Sequence, residues 1–269
     1  MDATDKVFAG SIPELYDRLL VPMIFAPYAD DLARRVAARA PHAVLETAAG
    51  TGALTRALSR ALPTDCRLVA TDLNPPMLAR AAERQQGGRS VEFRPADALA
   101  LPFDAGSFDV VACQFGAMFF PDRPAGFREA RRVLRPGGHY LFNVWDTLET
   151  NVFTATVTEA LGAMFPDDPP RFMARTPHGY ADATRIRADL SAAGYTDIAI
   201  EPVETVSRGT SAREVAMALC QGTPLRNEIE ARDASRLEDA TARSAEALER
   251  AFGKGPIDGR ISALVIEAA

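Results

Sequence analysis

Only three cysteines occur in the 269 residues, and Cys66, Cys113 and Cys220 stand far apart with no C-x-x-C or Cys/His spacing. That excludes a disulfide framework and a structural metal site of the zinc type. Each thiol is expected to serve as a small apolar side chain, Cys113 within a run that reads as fully buried. No apolar run approaches the roughly 20 residues that a membrane-spanning helix needs. The opening MDATDKVFAGSIPELYDRLL lacks the basic segment and unbroken apolar stretch of a secretory leader, so the cytoplasm is the expected location. A surplus of positive charge is also missing. The formal net charge of −6 and pI near 5.2 argue against a nucleic-acid partner, whose phosphates call for clustered Lys and Arg. The basic stretch REARRVLR at 128–135 reads as the exposed face of an amphipathic helix. Internal repeats and low-complexity linkers are absent as well.

What is present is an ordinary globular composition, 47% hydrophobic and 25% charged, in a chain long enough for one large domain with or without a small appendage. Short apolar runs alternate with helical patterns. HAVLET (42–47), RLVATD (67–72), VEFRPA (91–96), SFDVVACQF (107–115) and HYLFNVW (139–145) are predicted strands, and 52–62 and 76–86 predicted helices between them. Runs such as VVAC and YLFNV are apolar on both faces, as in strands covered by helices on each side. The alternation predicts an α/β fold with a parallel sheet. After Trp145 come a helix (151–165), a Pro-rich loop (166–180) and a helix (184–195) with Ile186, Leu190 and Ala193 on one face and Gly194 as its stop. A strand (196–207), a helical stretch (211–252) and a last strand in RISALVIEAA, expected antiparallel to the sheet, complete the chain.

The turn after the first strand reads TAAGTGALT. Gly50 and Gly52 open backbone angles closed to other residues and leave room for a ligand beside the main chain, and the helix that follows offers free N–H groups. Asp72 ends the second strand, where a carboxylate of an α/β nucleotide fold accepts from ribose hydroxyls; capping the helix near Pro75 is its bland alternative. A nicotinamide enzyme carries a third glycine or alanine in this turn, and Thr55 stands there instead.

VLETAAGTG, TDLNPPML, PADALALPFDAGSFDVV and EARRVLRPGGHYLF, in that order, resemble the class I S-adenosylmethionine (SAM)-dependent methyltransferases, particularly the small-molecule group of the "methyltransferase domain 11" type. The resemblance covers roughly residues 30–146. It implies a Rossmann-like fold with a seven-stranded, mostly parallel sheet, an antiparallel last strand and helical cap elements. The implied cofactor is SAM, left as S-adenosylhomocysteine (SAH) after transfer. By the same resemblance Glu46 helps hold the methionine end, and Ala48, Gly50, Thr51 and Gly52 supply backbone contacts. Asp72 binds the ribose diol, Leu73 and Met77 cover the adenine, Asp97 and Ala98 meet its amino edge, and Gln114 and Phe115 close the pocket near the sulfonium. Ala48 departs from the glycine usual in the family, and its methyl is expected to limit slightly how closely the backbone meets the ligand. NPPM at 74–77 is one letter from the Asn-Pro-Pro-aromatic tetrapeptide of amino-methylating DNA enzymes, but that motif follows their fourth strand. Here it follows the second, so Pro75 and Pro76 are read as starting a helix.

The expected domain layout is an N-terminal helical cap over the cofactor (1–30), the SAM-binding core (31–146), and the rest of the sheet with lid and helical insertions in the same domain (147–269). Met118, Phe119 and Phe120 suit either a dry pocket wall or the core. Tyr16, Phe25 and Tyr28 suit the cap or a plain docking helix. In the 166–180 loop, Phe172, His178 and Tyr180 suit a lid, with His178 read as a surface histidine or a general base. His42 and His139 lie at strand starts, the end away from the ligand, and are excluded. The stretch 211–252 suits a substrate cap or the surface of a homodimer. No catalytic residue and no metal ligand is assigned. The expected function is methyl transfer to a small, partly apolar metabolite, at oxygen or carbon rather than nitrogen, with no nucleic-acid or membrane partner. An NAD(P)-dependent oxidoreductase on a related sheet and a non-catalytic SAM-binding protein are the alternatives.

Overall fold

The computed structural model describes residues 12–85 and 89–269. Residues 1–11, the first part of the expected cap, and Gln86, the expected end of the helix after the second strand, lie outside the described residues. Along the chain run α1 (Ile12–Leu15), a π-helix (Tyr16–Phe25), α2 (Ala26–Ala38), β1 (Ala43–Glu46), α3 (Ala53–Ala61), β2 (Arg67–Asp72), α4 (Pro75–Arg84), β3 (Glu92–Pro95), β4 (Phe108–Gln114), α5 (Arg123–Val133) and β5 (Leu134–Trp145). There follow α6 (Val152–Met164), α7 (Phe172–Arg175), α8 (Ala183–Ala192), β6 (Ile198–Gly209), α9 (Ala212–Gln221), α10 (Leu225–Asp233), α11 (Leu237–Phe252) and β7 (Ile257–Ala268). The strands form one seven-stranded sheet in the order β3-β2-β1-β4-β5-β7-β6. By contact the chain divides into two compact units.

The larger unit comprises Ala26–Trp145, Tyr180–Val203 and Ala263–Ala269. Its strands β1 to β5 pair in parallel, and β7 runs antiparallel to β5 with Trp145 opposite Ala263. Both faces of the central strands are apolar because helices cover both. Val44, Leu68, Val110 and Leu141 join Leu32 and Val36 of α2 and Leu54 and Leu58 of α3 in one core. Tyr140 and Phe142 alternate with Leu141 and so face the other side, where their rings lie 5.7 and 5.3 Å from that of Phe127 in α5. The arginines of the basic stretch, Arg128, Arg131, Arg132 and Arg135, are exposed, and Arg132 spends its guanidinium on Glu129 and the carbonyls of Leu101 and Phe103. The boundaries of β4 and β5 differ from expectation. Strand β4 stops at Gln114, because Phe115 turns to φ 50°. Strand β5 begins at Leu134 rather than at His139, its first residue pairing with Phe108 ahead of an irregularity in the register.

Among the described residues, the smaller unit comprises Ile12–Phe25, Asp146–Gly179 and Glu204–Ser262. Helix α11 packs on α9 and α6, and the Phe153 ring meets Phe252 edge-on at 4.9 Å. The stretch 211–252 resolves into three α-helices with a 3-10 turn, Ala234–Arg236, between the last two. Thr223 separates the first two, its hydroxyl donating to Leu219 O at 2.7 Å and accepting from Leu225 N at 3.2 Å. The 166–180 loop is pinned to α10, where the Glu228 carboxylate accepts from Arg171 N, Phe172 N and the Arg175 guanidinium at 2.7, 3.2 and 2.7 Å. All three cysteines are buried and unbridged. Among the described residues no helix is long and apolar enough to cross a membrane.

Candidate functional site

The strand order reverses between β1 and β4, and in open α/β sheets the crevice beyond the carboxyl ends at such a reversal is where ligands bind. Four main-chain ties line the residues up along that edge. Ala96 N donates to Asp72 O at 3.1 Å, joining the loop after β3 to the end of β2. Ala49 N donates to Thr71 O at 2.9 Å, and Thr47 N to Ala112 O at 2.9 Å, fixing the turn after β1 between β2 and β4. Phe115 N reaches Asn143 O on β5 at 3.1 Å. The sequence-expected residues of the turn, β2, β3 and β4 are thus brought to one edge of the larger unit.

Within the turn Ala48, Gly50 and Gly52 take φ of 54°, 58° and 81°. Left-handed backbone is open to glycine and strained for alanine. The position of the Ala48 methyl explains its neighbour: a side chain at Gly116 would overlap that methyl and lie 2.8 Å from Cys113 Sγ. Ala48 therefore packs toward the loop after β4, and the extra methyl is accommodated there by the absence of one at Gly116.

Asp72 is 6% exposed at the end of β2. One carboxylate oxygen accepts from Gly50 N at 2.8 Å and the other from Asn74 N at 2.7 Å. Burial pushes its carboxyl up, and these N–H donors oppose the rise. The helix-cap alternative does not describe it: Asn74 is the residue before α4, with Pro75 and Pro76 opening the helix. Leu73, next in the chain, is an exposed large apolar side chain at 52%, while Met77 is buried with Cε 3.8 Å from the place a side chain at Gly50 would take. Glu46 is fully enclosed. Thr55 donates its hydroxyl to the carboxylate at 2.6 Å, and burial pushes the carboxyl up to about 8, with Arg56 opposing and Asp72 reinforcing the rise. Thr55 occupies the position of the third glycine in a nicotinamide turn and is itself buried.

Asp97 is exposed in the loop after β3, and its Oδ1 accepts from Leu99 N at 2.9 Å, the local use a loop aspartate often has; Ala98 beside it is half-buried. Gln114 is half-buried and Phe115 buried. The Phe115 ring stacks on Trp145 with centroids 3.9 Å apart, and Tyr28 meets both edge-on. Met118 and Phe120 are core, the latter against Gly126 of α5, while Phe119 is half-buried.

A methyltransferase-domain family model matches residues 45–142. The ubiquinone/menaquinone biosynthesis C-methyltransferase UbiE of Hahella chejuensis is 32% identical over 168 residues, 58% of this chain and 68% of that protein. The chain belongs to the class I SAM-dependent methyltransferases. A demethylmenaquinone methyltransferase of Thermus thermophilus is 44% identical over 101 residues, covering 37% of this chain and 46% of its own length. The chain thus spans about half to two-thirds of these curated relatives. In fold it is similar to the Haemonchus contortus phosphoethanolamine N-methyltransferase 2, solved with phosphomonomethylethanolamine and SAH, at TM-score 0.60 and 16% identity over 98% of this chain and 59% of that one.

The residues present fit the family's cofactor. Leu73 offers an exposed apolar face beside a carboxylate already turned to the glycine turn, and the Thr51 hydroxyl in that turn is buried without a hydrogen-bond partner among the described residues. Asp72 retains lone pairs for a diol. Sequence reasoning missed Arg56, which donates to Thr51 O at 2.7 Å and so braces the turn, and Asn143, whose Oδ1 accepts from Phe115 N at 3.0 Å. The only signal for Asn143 was a lone amide inside the apolar run YLFNVW.

The residues offered for the acceptor are mostly engaged in packing. Tyr28 donates its hydroxyl to Val203 O at 2.9 Å, and Tyr180 to Asp189 at 2.7 Å beneath the Arg123 guanidinium. In the smaller unit Tyr16 stacks on Phe25 at 4.8 Å, and Phe172 is core. His178, expected at the surface of a Pro-rich loop, is half-buried. Its ring nitrogen Nδ1 lies 2.8 Å from Asp146 O, so Nδ1 carries the proton, and burial pushes its pKa down to about 4. His42 is exposed and His139 pairs with Glu267 at 3.1 Å. Among the described residues no cluster of metal-ligating side chains occurs.

Proposed function

We propose that this protein is a SAM-dependent methyltransferase acting in the cytoplasm on a small, partly apolar metabolite, with transfer to oxygen or carbon rather than nitrogen and without a nucleic-acid or membrane partner. The observation that carries the reading is the placement of Asp72, tied by one oxygen to Gly50 N and by the other to Asn74 N beside a left-handed turn. Family membership supports the cofactor, and the net charge of −6 supports a small acceptor over a polyanion.

SAM supplies an electrophilic methyl group on a positively charged sulfur, and the protein's contribution is binding, alignment and exclusion of water. With SAM bound, Asp72 would accept from the ribose hydroxyls, Leu73 and Met77 would cover the adenine, and Asp97 and Ala98 would meet its amino edge. Glu46, Ala48, Gly50, Thr51 and Gly52 would hold the methionine end, and Gln114 and Phe115 would wall the reacting side. Holding two reactants in line removes much of the entropic part of the barrier, and a dry wall favours a step in which charge is consumed. The relatives' names point to quinone-type acceptors, which sets the test. The protein is incubated with SAM and separate panels of hydroquinones, phenols and amines while SAH formation is followed. Transfer to ring oxygen or carbon is expected. Transfer to amines alone would overturn the acceptor class, and tight SAM binding with no transfer to any panel would count against the enzyme.

A further inference from the structure

The chain reverses from β4 into the loop at Phe115, and it does so through a conformation that a bulky side chain rarely adopts: φ is 50°. Such backbone persists only where surrounding groups over-determine it. Here the determinant is one residue of the neighbouring strand. Phe115 N donates to Asn143 twice, to the backbone oxygen at 3.1 Å and to the side-chain Oδ1 at 3.0 Å. Asn143 is 0% exposed, and its Nδ2 is buried with no hydrogen-bond partner among the described residues. A fully buried amide that leaves a donor unpaired is costly against an apolar residue of its size, so what it retains is the acceptor. The consequence spreads two ways from Phe115. The next residue, Gly116, is pressed against the Ala48 methyl of the cofactor turn. The ring itself is held flat on Trp145 at 3.9 Å and 12°, with Tyr28 edge-on.

We propose that Asn143 is a positioning residue: by locking Phe115 in its left-handed turn through Oδ1, it sets both the aromatic wall at the end of β4 and the seat of the Ala48–Gly52 turn. The proposal rests on the reading of that turn as the SAM site, and it deepens that reading by naming a residue that acts through Phe115 without touching the ligand.

The test uses the sole tryptophan of the chain, Trp145, whose emission reports the Phe115 stack, together with calorimetric titration with SAH. Asn143→Ala removes the Oδ1 acceptor. It should shift Trp145 emission and weaken SAH binding about tenfold, the worth of one net hydrogen bond, with far-UV circular dichroism unchanged. Asn143→Asp, measured at pH 5, keeps an acceptor at the same place and should restore emission and affinity to within about threefold of the starting protein. Phe115→Gly takes the left-handed turn unaided, so adding Asn143→Ala to it should change SAH affinity little; this pair also serves if Asn143→Ala alone does not fold. Unchanged emission and affinity in Asn143→Ala, equal loss in the Ala and Asp variants, or an equal cost with glycine at 115 would each overturn the lock. Failure of the unaltered protein to bind SAH would overturn the cofactor reading instead, while the emission of the variants would still decide the lock.

Discussion

Replacing Glu46 with glutamine should make the protein more stable at alkaline pH and leave it nearly unchanged in acid. The carboxyl is fully enclosed at the end of β1, takes a hydrogen bond from the Thr55 hydroxyl at 2.6 Å, and titrates at about 8 in place of its ordinary 4.5. Between those values the folded protein keeps a proton that the unfolded chain has lost. The folded state therefore binds more protons, and stability from this group falls as pH rises from about 4.5 to about 8 and stays lost above it. At about 1.4 kcal/mol for each pH unit, the full effect is at most about 5 kcal/mol. Water entry on ionisation reduces the observable pH-dependent difference to about 2–3 kcal/mol. Urea denaturation of both proteins at pH 5, 6, 7, 8 and 9 measures it, because every other titrating group is common to the pair. The variant's advantage should be near zero at pH 5, grow to about pH 8 and then level off. A constant offset, or an advantage that shrinks with pH, would refute the assignment of a raised pKa to Glu46.

Gly116→Ala should cost about 2–3 kcal/mol by overpacking against the Ala48 methyl and Cys113 Sγ. Adding Ala48→Gly should recover part of that loss in a denaturant double-mutant cycle, and strict additivity would contradict the contact. Binding of SAM near pH 7 should release protons, because a cationic ligand close to Glu46 favours its ionised form; calorimetry in buffers of different ionisation enthalpy reads this, and identical heats would argue against it. Tyr180→Phe, which strips Asp189 of its 2.7 Å donor, should lower stability by about 1 kcal/mol with little effect on SAH affinity.

Much of the larger unit was legible because its signals are local. Runs such as VVAC are apolar on both faces only in strands covered on both sides, and they emerged as β4 and β5 with α2, α3 and α5 against them. The antiparallel last strand also matches, though it starts at Ile257 rather than Arg260. What escaped depends on partners far away in the chain. Nothing near Phe115 in sequence announces a left-handed turn, since the acceptor that permits it lies 28 residues on. His178 looked exposed because it lies in a long Pro-rich loop, yet the carbonyl of Asp146, 32 residues earlier, holds it in a half-buried place. Glu228 pins the 166–180 loop from α10 by hydrogen bonds between residues 57 and 53 apart, which the loop's own sequence does not show. Asp97 shows the reverse case. Its role toward a ligand comes from resemblance, whereas the contact its own loop displays is the short-range one to Leu99.

The most direct test of the central claim is calorimetric titration of the purified protein and of Asp72→Ala with SAM, SAH and NAD(H), after removal of any carried cofactor. Micromolar binding of both adenosyl ligands, no binding of NAD(H), and a loss of at least about tenfold in Asp72→Ala are expected, since two charge-assisted hydrogen bonds to the ribose would go. Binding of NAD(H) alone, or SAH affinity unchanged by the loss of the Asp72 carboxylate, would contradict the account.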